Sequence, residues 1–241
     1  MWLVLCSPQD LPAIWAAQGL RRLGFAPVEI VTAEALAYNL RFEHRLEGGT
    51  SFTQIALADG RTIDSRSVRG VLNRLDTLPT GHLSLVTPED RQYAEQELFA
   101  TFLSWLNGLR DPVFNRPAPR GLAGSSRHLS EWIWLASRAG LSTLSYQQGD
   151  LHPAAVLPPP RHATTASLIV CNGRCFGPLR PPAAVESGCA RLAERSGDAL
   201  LGIYFCVLPS GEWQFAEAAT LPDLRSGGDA LLAELARSFH S

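Results

Sequence analysis

The feature that most constrains the fold is the opening alternation of apolar patterns. An apolar run, Met1 to Cys6, is followed by the polar loop Ser7-Pro8-Gln9-Asp10. Ile14, Trp15, Leu20 and Leu23 then recur at near-helical spacing from Pro12 to Leu23, with Gly24 as a helix stop, and Val28 to Thr32 has strand composition. A crossover of that length through a helix favours parallel pairing, so the chain is expected to begin as a βαβ unit.

Further elements follow from turn and cap signals. Thr50 to Leu57 and Arg61 to Ile63 flank Asp59-Gly60, the pair a tight hairpin requires. Gly70-Val71-Leu72 leads into Asn73-Arg74, which places two polar side chains at the carboxyl end of a central strand, the edge where open α/β sheets bind ligands. Thr87-Pro88-Glu89-Asp90 starts a long helix whose apolar face is Ala94, Leu98, Phe99, Phe102, Leu103, Leu106 and Leu109, ending near Gly108. The segment Asn115-Arg116-Pro117-Ala118-Pro119 reads as a loop joining two lobes.

Beyond it, a helix starting after Ser125 or Ser126 runs to Gly140, Leu141 to Tyr146 is expected as a strand, and Gln147 to Thr165 as a proline-interrupted loop with no packed subdomain. Asn172-Gly173 marks a hairpin between Ser167–Val170 and Cys175–Gly177. Ala183 to Ser196, closed by Gly197, is a helix, and Leu200–Leu208 with Glu212–Ala218 form a second hairpin. A loop from Leu221 to Gly228 and a helix from Leu231 to Phe239 end the chain. The fold class is therefore α/β, with an N-terminal βαβ lobe over residues 1–115 and a C-terminal α+β lobe over 116–241.

Composition removes several function classes. A chain of 241 residues that is 46% hydrophobic buries a real core, and 23 acidic against 21 basic residues give no electrostatic reason to expect nucleic acid or an anionic membrane surface. All 21 basic residues are arginine, so no lysine nucleophile, Schiff base or phosphate-holding ammonium is available. Five cysteines, an odd number in apolar or turn contexts, suit thiols in a reducing compartment, and the first apolar run is too short for a signal segment or a span. A cytoplasmic protein is expected. The six histidines lack metal-ligand spacing and nucleophile-elbow context, which gives a hydrolase no support. Cys171 and Cys175 would point to opposite faces of their hairpin, against a zinc site. Trp105, Trp132 and Trp134 lie in helices, where core packing is the expected use.

The order of elements resembles the ATP-grasp superfamily, of the glutathione-synthetase and ribosomal-S6-modification kind. The resemblance is carried by the N-terminal βαβ lobe, Arg74 after its strand, the long helix ahead of Asn115-Arg116-Pro117, the helix ending in Ala139-Gly140-Leu141, and above all the final strand pair. There Leu201-Gly202-Ile203-Tyr204-Phe205 and Phe215-Ala216-Glu217-Ala218-Ala219-Thr220-Leu221-Pro222 match a family pattern of Gly-Ile/Val-Asp-Phe followed by Glu-Val-Asn and, two residues on, proline. The resemblance implies a pre-ATP-grasp-like first lobe and an ATP-grasp-like second lobe lacking its central nucleotide-clamping subdomain, which about twenty loop-like residues replace. It also implies the departures that matter: Tyr204 stands where the family has aspartate, Ala219 where it has asparagine.

Magnesium needs oxygen ligands from both strands, and Glu217 alone remains, with Asp223 as a possible recruit. Both are either relics of metal ligation or a solvated carboxylate and a capping loop. Arg225, beside Gly227-Gly228, holds either a substrate carboxylate or a salt bridge to Asp223 or Asp229. Asn73, Arg74, Asn115 and Arg116 are either cleft ligands or structural. The resulting expectation is a degenerate, non-catalytic, cofactor-free accessory protein that binds a peptide or a protein partner such as an intact ligase. The alternative is an ATP- and magnesium-dependent carboxylate–amine ligase with an altered or partner-completed nucleotide site.

Overall fold

A computed structural model of the chain describes residues 1–149, 152–156 and 162–240. It divides into two compact units, one of residues 1–125 together with the chain from Leu235 onward, the other of residues 126–234. Side-chain bonds described below tie residues 115–122 to the first unit.

Unit 1 begins with β1 (Trp2–Cys6), α1 (Leu11–Arg22), β2 (Val28–Thr32) and the short α2 (Ala33–Ala37). The first two strands pair in parallel, as the crossover demands. An antiparallel meander follows, β3 (Arg41–Glu47), β4 (Thr50–Ala56) and β5 (Thr62–Asp64), then β6 (Gly70–Asn73), α3 (Pro88–Gly108) and β7 (Val113–Phe114). The sheet order β2-β1-β6-β7 is wholly parallel, so the chain runs outward from β1 in both directions. Both faces are covered: Leu3, Leu5 and Val71 pack with Phe102, Trp105 and Ile55, while Val4 and Leu72, on the other face, are also fully buried.

The strand β3 is a departure from expectation. Its charges conceal a period-2 pattern in which Phe42 packs on Phe102 and Trp105 while Arg41, Glu43 and Arg45 form surface ion pairs. Gly48 and Gly49, both at positive φ, make its turn into β4. The helix α3 starts where Thr87 caps it, its hydroxyl accepting from the Asp90 amide, and only its C-terminal half supplies fully buried residues, Phe102, Trp105 and Leu106.

Unit 2 contains α4 (Leu129–Arg138), β8 (Tyr146–Gly149), β9 (His152–Val156), β10 (Thr164–Cys171), β11 (Arg174–Phe176), α5 (Ala183–Ser196), β12 (Leu200–Val207) and β13 (Trp213–Ala219). The final helix is α6 (Gly228–Ser238), and Phe239, just beyond it and part of unit 1, meets Phe25 and Phe114. The sheet order is β11-β10-β12-β13, antiparallel throughout. Asn172 and Gly173 both have positive φ, as a two-residue hairpin requires. The helices α4 and α5 cover one sheet face, where Trp132, Ala136, Cys189 and Leu192 pack on Val170, Ile203, Phe205 and Phe215.

Four expectations are corrected. The α4 cap is His128, in a capping box with Glu131, rather than a serine. Leu141 to Ser145 forms only a single bridge at Thr143 to Phe215, and the strand begins at Tyr146. The segment expected as loop contains the two-stranded ribbon β8–β9, with Pro153 inside β9. A two-stranded ribbon leaves each strand one unpaired edge, where proline costs no ladder bond. The prolines at 158–160 lie outside the described residues. Trp134 is 64% exposed, unlike the buried Trp105 and Trp132. No helix among the described residues is long and apolar enough to cross a membrane.

Candidate functional site

The strand pair β12–β13 brings together the positions on which the resemblance depends. Ile203 and Phe205 face the helices, so Gly202 and Tyr204 face the opposite side of the sheet. Tyr204 lies directly across from Glu217, and Gly202 across from Ala219. The register slips between Tyr204 and Phe205, leaving Ala216 as the extra residue of a bulge, and that slip keeps Glu217 on the same face as Tyr204. The loop after β13 folds back over Gly202: a Cβ there would lie 2.7 Å from the Pro222 Cβ, so only glycine admits the loop.

The donor set at this place does not fit a magnesium ion. Glu217 is exposed and faces a phenol ring rather than a carboxylate, and Ala219 has no side-chain oxygen to offer. Asp223 is engaged: Arg225 Nε lies 2.8 Å from Oδ1 and a terminal nitrogen 2.6 Å from Oδ2, while the Arg225 amide donates to Oδ1 at 3.1 Å. Of the two roles open for Arg225, the structure thus shows the salt bridge to Asp223. Among the described residues, no group of three or more His, Cys, Asp or Glu side chains is placed to hold a metal.

In unit 1 the four other candidates are bonded into the fold. Asn73, fully buried at the end of β6, donates to the carbonyls of Asn115 at 2.9 Å and Leu122 at 2.6 Å and accepts from the Leu75 amide. Arg74 makes a two-point contact with Asp10, Nε to Oδ2 at 2.7 Å and a terminal nitrogen to Oδ1 at 3.1 Å. That carboxylate also caps α1 through the Ala13 amide. Asn115 is buried with φ of 52°, turning the chain after β7. Arg116 reaches back to the end of α3, donating to the carbonyls of Leu106 at 2.8 Å, Leu109 at 3.0 Å and Asp111 at 3.0 Å. It supplies donors that the helix terminus lacks. Burial lowers its pKa from the ordinary arginine value. The side chains of Asn73, Arg74 and Arg116 thus bond to neighbouring segments of unit 1, and Asn115 is buried beside them.

Sequence reasoning missed other features. A cavity of about 700 Å³ lies between the β3–β4 turn and α3, lined by Leu46, Gly48, Ser51, Leu103, Asn107 and Arg110 among others. Its wall depends on Gly108, where a Cβ would collide with Ser51. His44 bridges β3 to its neighbours, Nδ1 lying 2.7 Å from Thr53 Oγ1 and Nε2 2.8 Å from Ser104 Oγ, and burial lowers its pKa. Arg127 pairs with the buried Asp198 at 3.1 Å and stacks over Trp132. None of these has a local sequence signature, since each joins residues far apart in the chain.

No protein-family model and no curated protein sequence matches the chain. Its backbone is nonetheless similar to solved enzymes over nearly its whole length. The macrocyclase MdnB from Microcystis aeruginosa MRC is 16% identical, with a TM-score of 0.73 over 98% of this chain and 97% of that one. Macrocyclase MdnC from the same source, bound with precursor peptide MdnA, is 12% identical, with a TM-score of 0.71 over 98% and 97%. A RiPP-associated ATP-grasp ligase from Chryseobacterium gregarium, in complex with ADP and a leader and core peptide, is 11% identical, with a TM-score of 0.68 over 99% and 94%. At such identities the likeness speaks for the fold, and the fold of this chain is that of the ATP-grasp ligases.

Proposed function

We propose that the chain is a peptide-binding accessory protein in a peptide-modification pathway, built on an ATP-grasp fold that no longer holds nucleotide. The observation that carries this reading is Tyr204 opposite Glu217 on the strand pair, with Ala219 beside it and Asp223 tied to Arg225. Phosphoryl transfer relies on positioning and charge neutralisation, and this set offers one solvated carboxylate for the metal. The absence of lysine removes the usual ammonium partners of the phosphates, and arginine, with its planar fork, meets them in a different geometry. In this reading the small β8–β9 ribbon between α4 and β10 is a reduced counterpart of the nucleotide clamp, and it and the changed ligands are parts of one degeneration.

Peptide is the partner class favoured because similar folds were solved with precursor, leader or core peptides. The cavity beside α3 mixes apolar Leu46 and Leu103 with hydrogen-bonding Ser51 and Asn107 and the cation Arg110, a lining that suits an extended chain. The test is fluorescence anisotropy with labelled precursor-type peptides encoded near the gene, with and without magnesium and ATP. Saturable binding that Arg110→Glu weakens and nucleotide leaves unchanged supports the reading. ATP-dependent conversion of the peptide to a lighter, dehydrated product overturns it.

A second reading, a ligase with an altered or partner-completed nucleotide site, is favoured by the likeness across 99% of the chain to a ligase solved with ADP. In that case Glu217→Ala abolishes an activity; in the first it changes nothing in peptide binding.

A further inference from the structure

We propose that Cys175 and Cys189 form a redox-active dithiol that closes to a disulfide between β11 and α5 when it meets a low-molecular-weight disulfide. The two residues come together only in the fold. Cys175 sits in the middle of β11 opposite Val170, and its side chain joins the cluster under the helices, while Cys189 is a fully buried member of the same cluster. The Cys175 Sγ lies 3.8 Å from the Glu186 carbonyl oxygen, and Cys189 follows about one turn later on the same helix α5, its side chain in the same cluster.

The pair divides the labour of a thiol exchange. Cys175 is partly exposed and reachable by a small disulfide, whereas Cys189 has no exposed surface. The hydrogen bond from Cys189 holds the Cys175 thiol below its usual range, although burial and the Glu186 carboxylate push the other way. Cys189 is pushed far up by its bond to Cys175, by burial and by the nearby charges of Cys175 and Glu186, which leaves Cys175 the more readily ionised of the two. The remaining thiols are poor competitors: burial raises Cys6 to about 11 and Cys171 to about 12, and Cys206 is buried.

The chemistry then runs in two displacements. The Cys175 thiolate attacks one sulfur of the small disulfide, forming a mixed disulfide and expelling one thiolate, which takes a proton from water. Capping Cys175 removes the negative neighbour that held the Cys189 proton. Cys189 then loses that proton to solvent and attacks the Cys175 sulfur, expelling the second small thiolate. Two protein thiols are oxidised and one small disulfide is reduced to two thiols. The bond ties the three-residue edge strand β11 to the helix that covers it.

The test is incubation of the native full chain with oxidised glutathione, acid quenching, alkylation and tryptic digestion. Arg174 and Arg191 bound a fragment containing both cysteines, since Pro181 protects the bond after Arg180. The expected result is that this fragment appears two hydrogen masses lighter and unalkylated, while Cys6, Cys171 and Cys206 are alkylated once the chain is unfolded. Cys189→Ser is expected to stop at a glutathione adduct on Cys175. A wild-type fragment with both cysteines alkylated, or one carrying a lasting glutathione adduct, overturns the proposal without reliance on any variant.

Discussion

Replacing Arg116 by alanine tests whether this side chain is part of the fold or of a ligand site. Its guanidinium gives three short bonds to carbonyls at and just beyond the end of α3, those of Leu106, Leu109 and Asp111. A hydrogen bond from a charged donor contributes ~1.5–3 kcal/mol, and water partly replaces it where the site is half-exposed, so ~1 kcal/mol each is the appropriate scale. Losing all three destabilises unit 1 by about 3 kcal/mol, which for a unit of this size lowers its melting temperature by ~10 °C. Arg116→Lys, with a compact ammonium in place of the planar fork, keeps one of the bonds and recovers about a third of the loss. Thermal unfolding followed by circular dichroism reads both values. A variant that melts like the parent but no longer binds peptide would refute the structural assignment and restore Arg116 to the binding surface.

Asn73→Asp sets a carboxylate against two carbonyl oxygens in a fully buried place, and the expected cost is ~3–5 kcal/mol, measurable by urea denaturation. Unit 1 should also lose stability in mild acid through His44. Its pKa is lowered in the fold, so the unfolded chain takes up the proton first; the stabilisation is complete above the ordinary value of 6.5 and is lost as pH falls through the lowered one. Melting temperatures at about pH 7.5 and about pH 5 should differ less in His44→Gln than in the parent.

The parts of the fold legible in the sequence were those governed by short-range chemistry. The helix Ala183–Ser196 with Gly197 at φ 75°, the Asn172-Gly173 turn and the parallel opening all follow from caps, turn residues and crossover length. Elements whose definition depends on distant partners were not legible. β3 is a strand because Phe42 finds Phe102 and Trp105, and β8–β9 is a ribbon that Pro153 conceals. The same division holds for the site. Tyr204 and Ala219 could be singled out because they interrupt a local pattern, and the register places them on one face. The bonds that occupy Asn73 and Arg74 run to residues 42 to 64 positions away, and no local spacing announces them.

The claim on which the functional account turns is that the β12–β13 face no longer holds a metal-bound triphosphate. Titration calorimetry of the native chain with a nonhydrolysable ATP analogue, in excess magnesium and at micromolar protein, addresses it directly. The account predicts no saturable heat from the native chain and none from Glu217→Ala. A saturating isotherm that Glu217→Ala abolishes would contradict it.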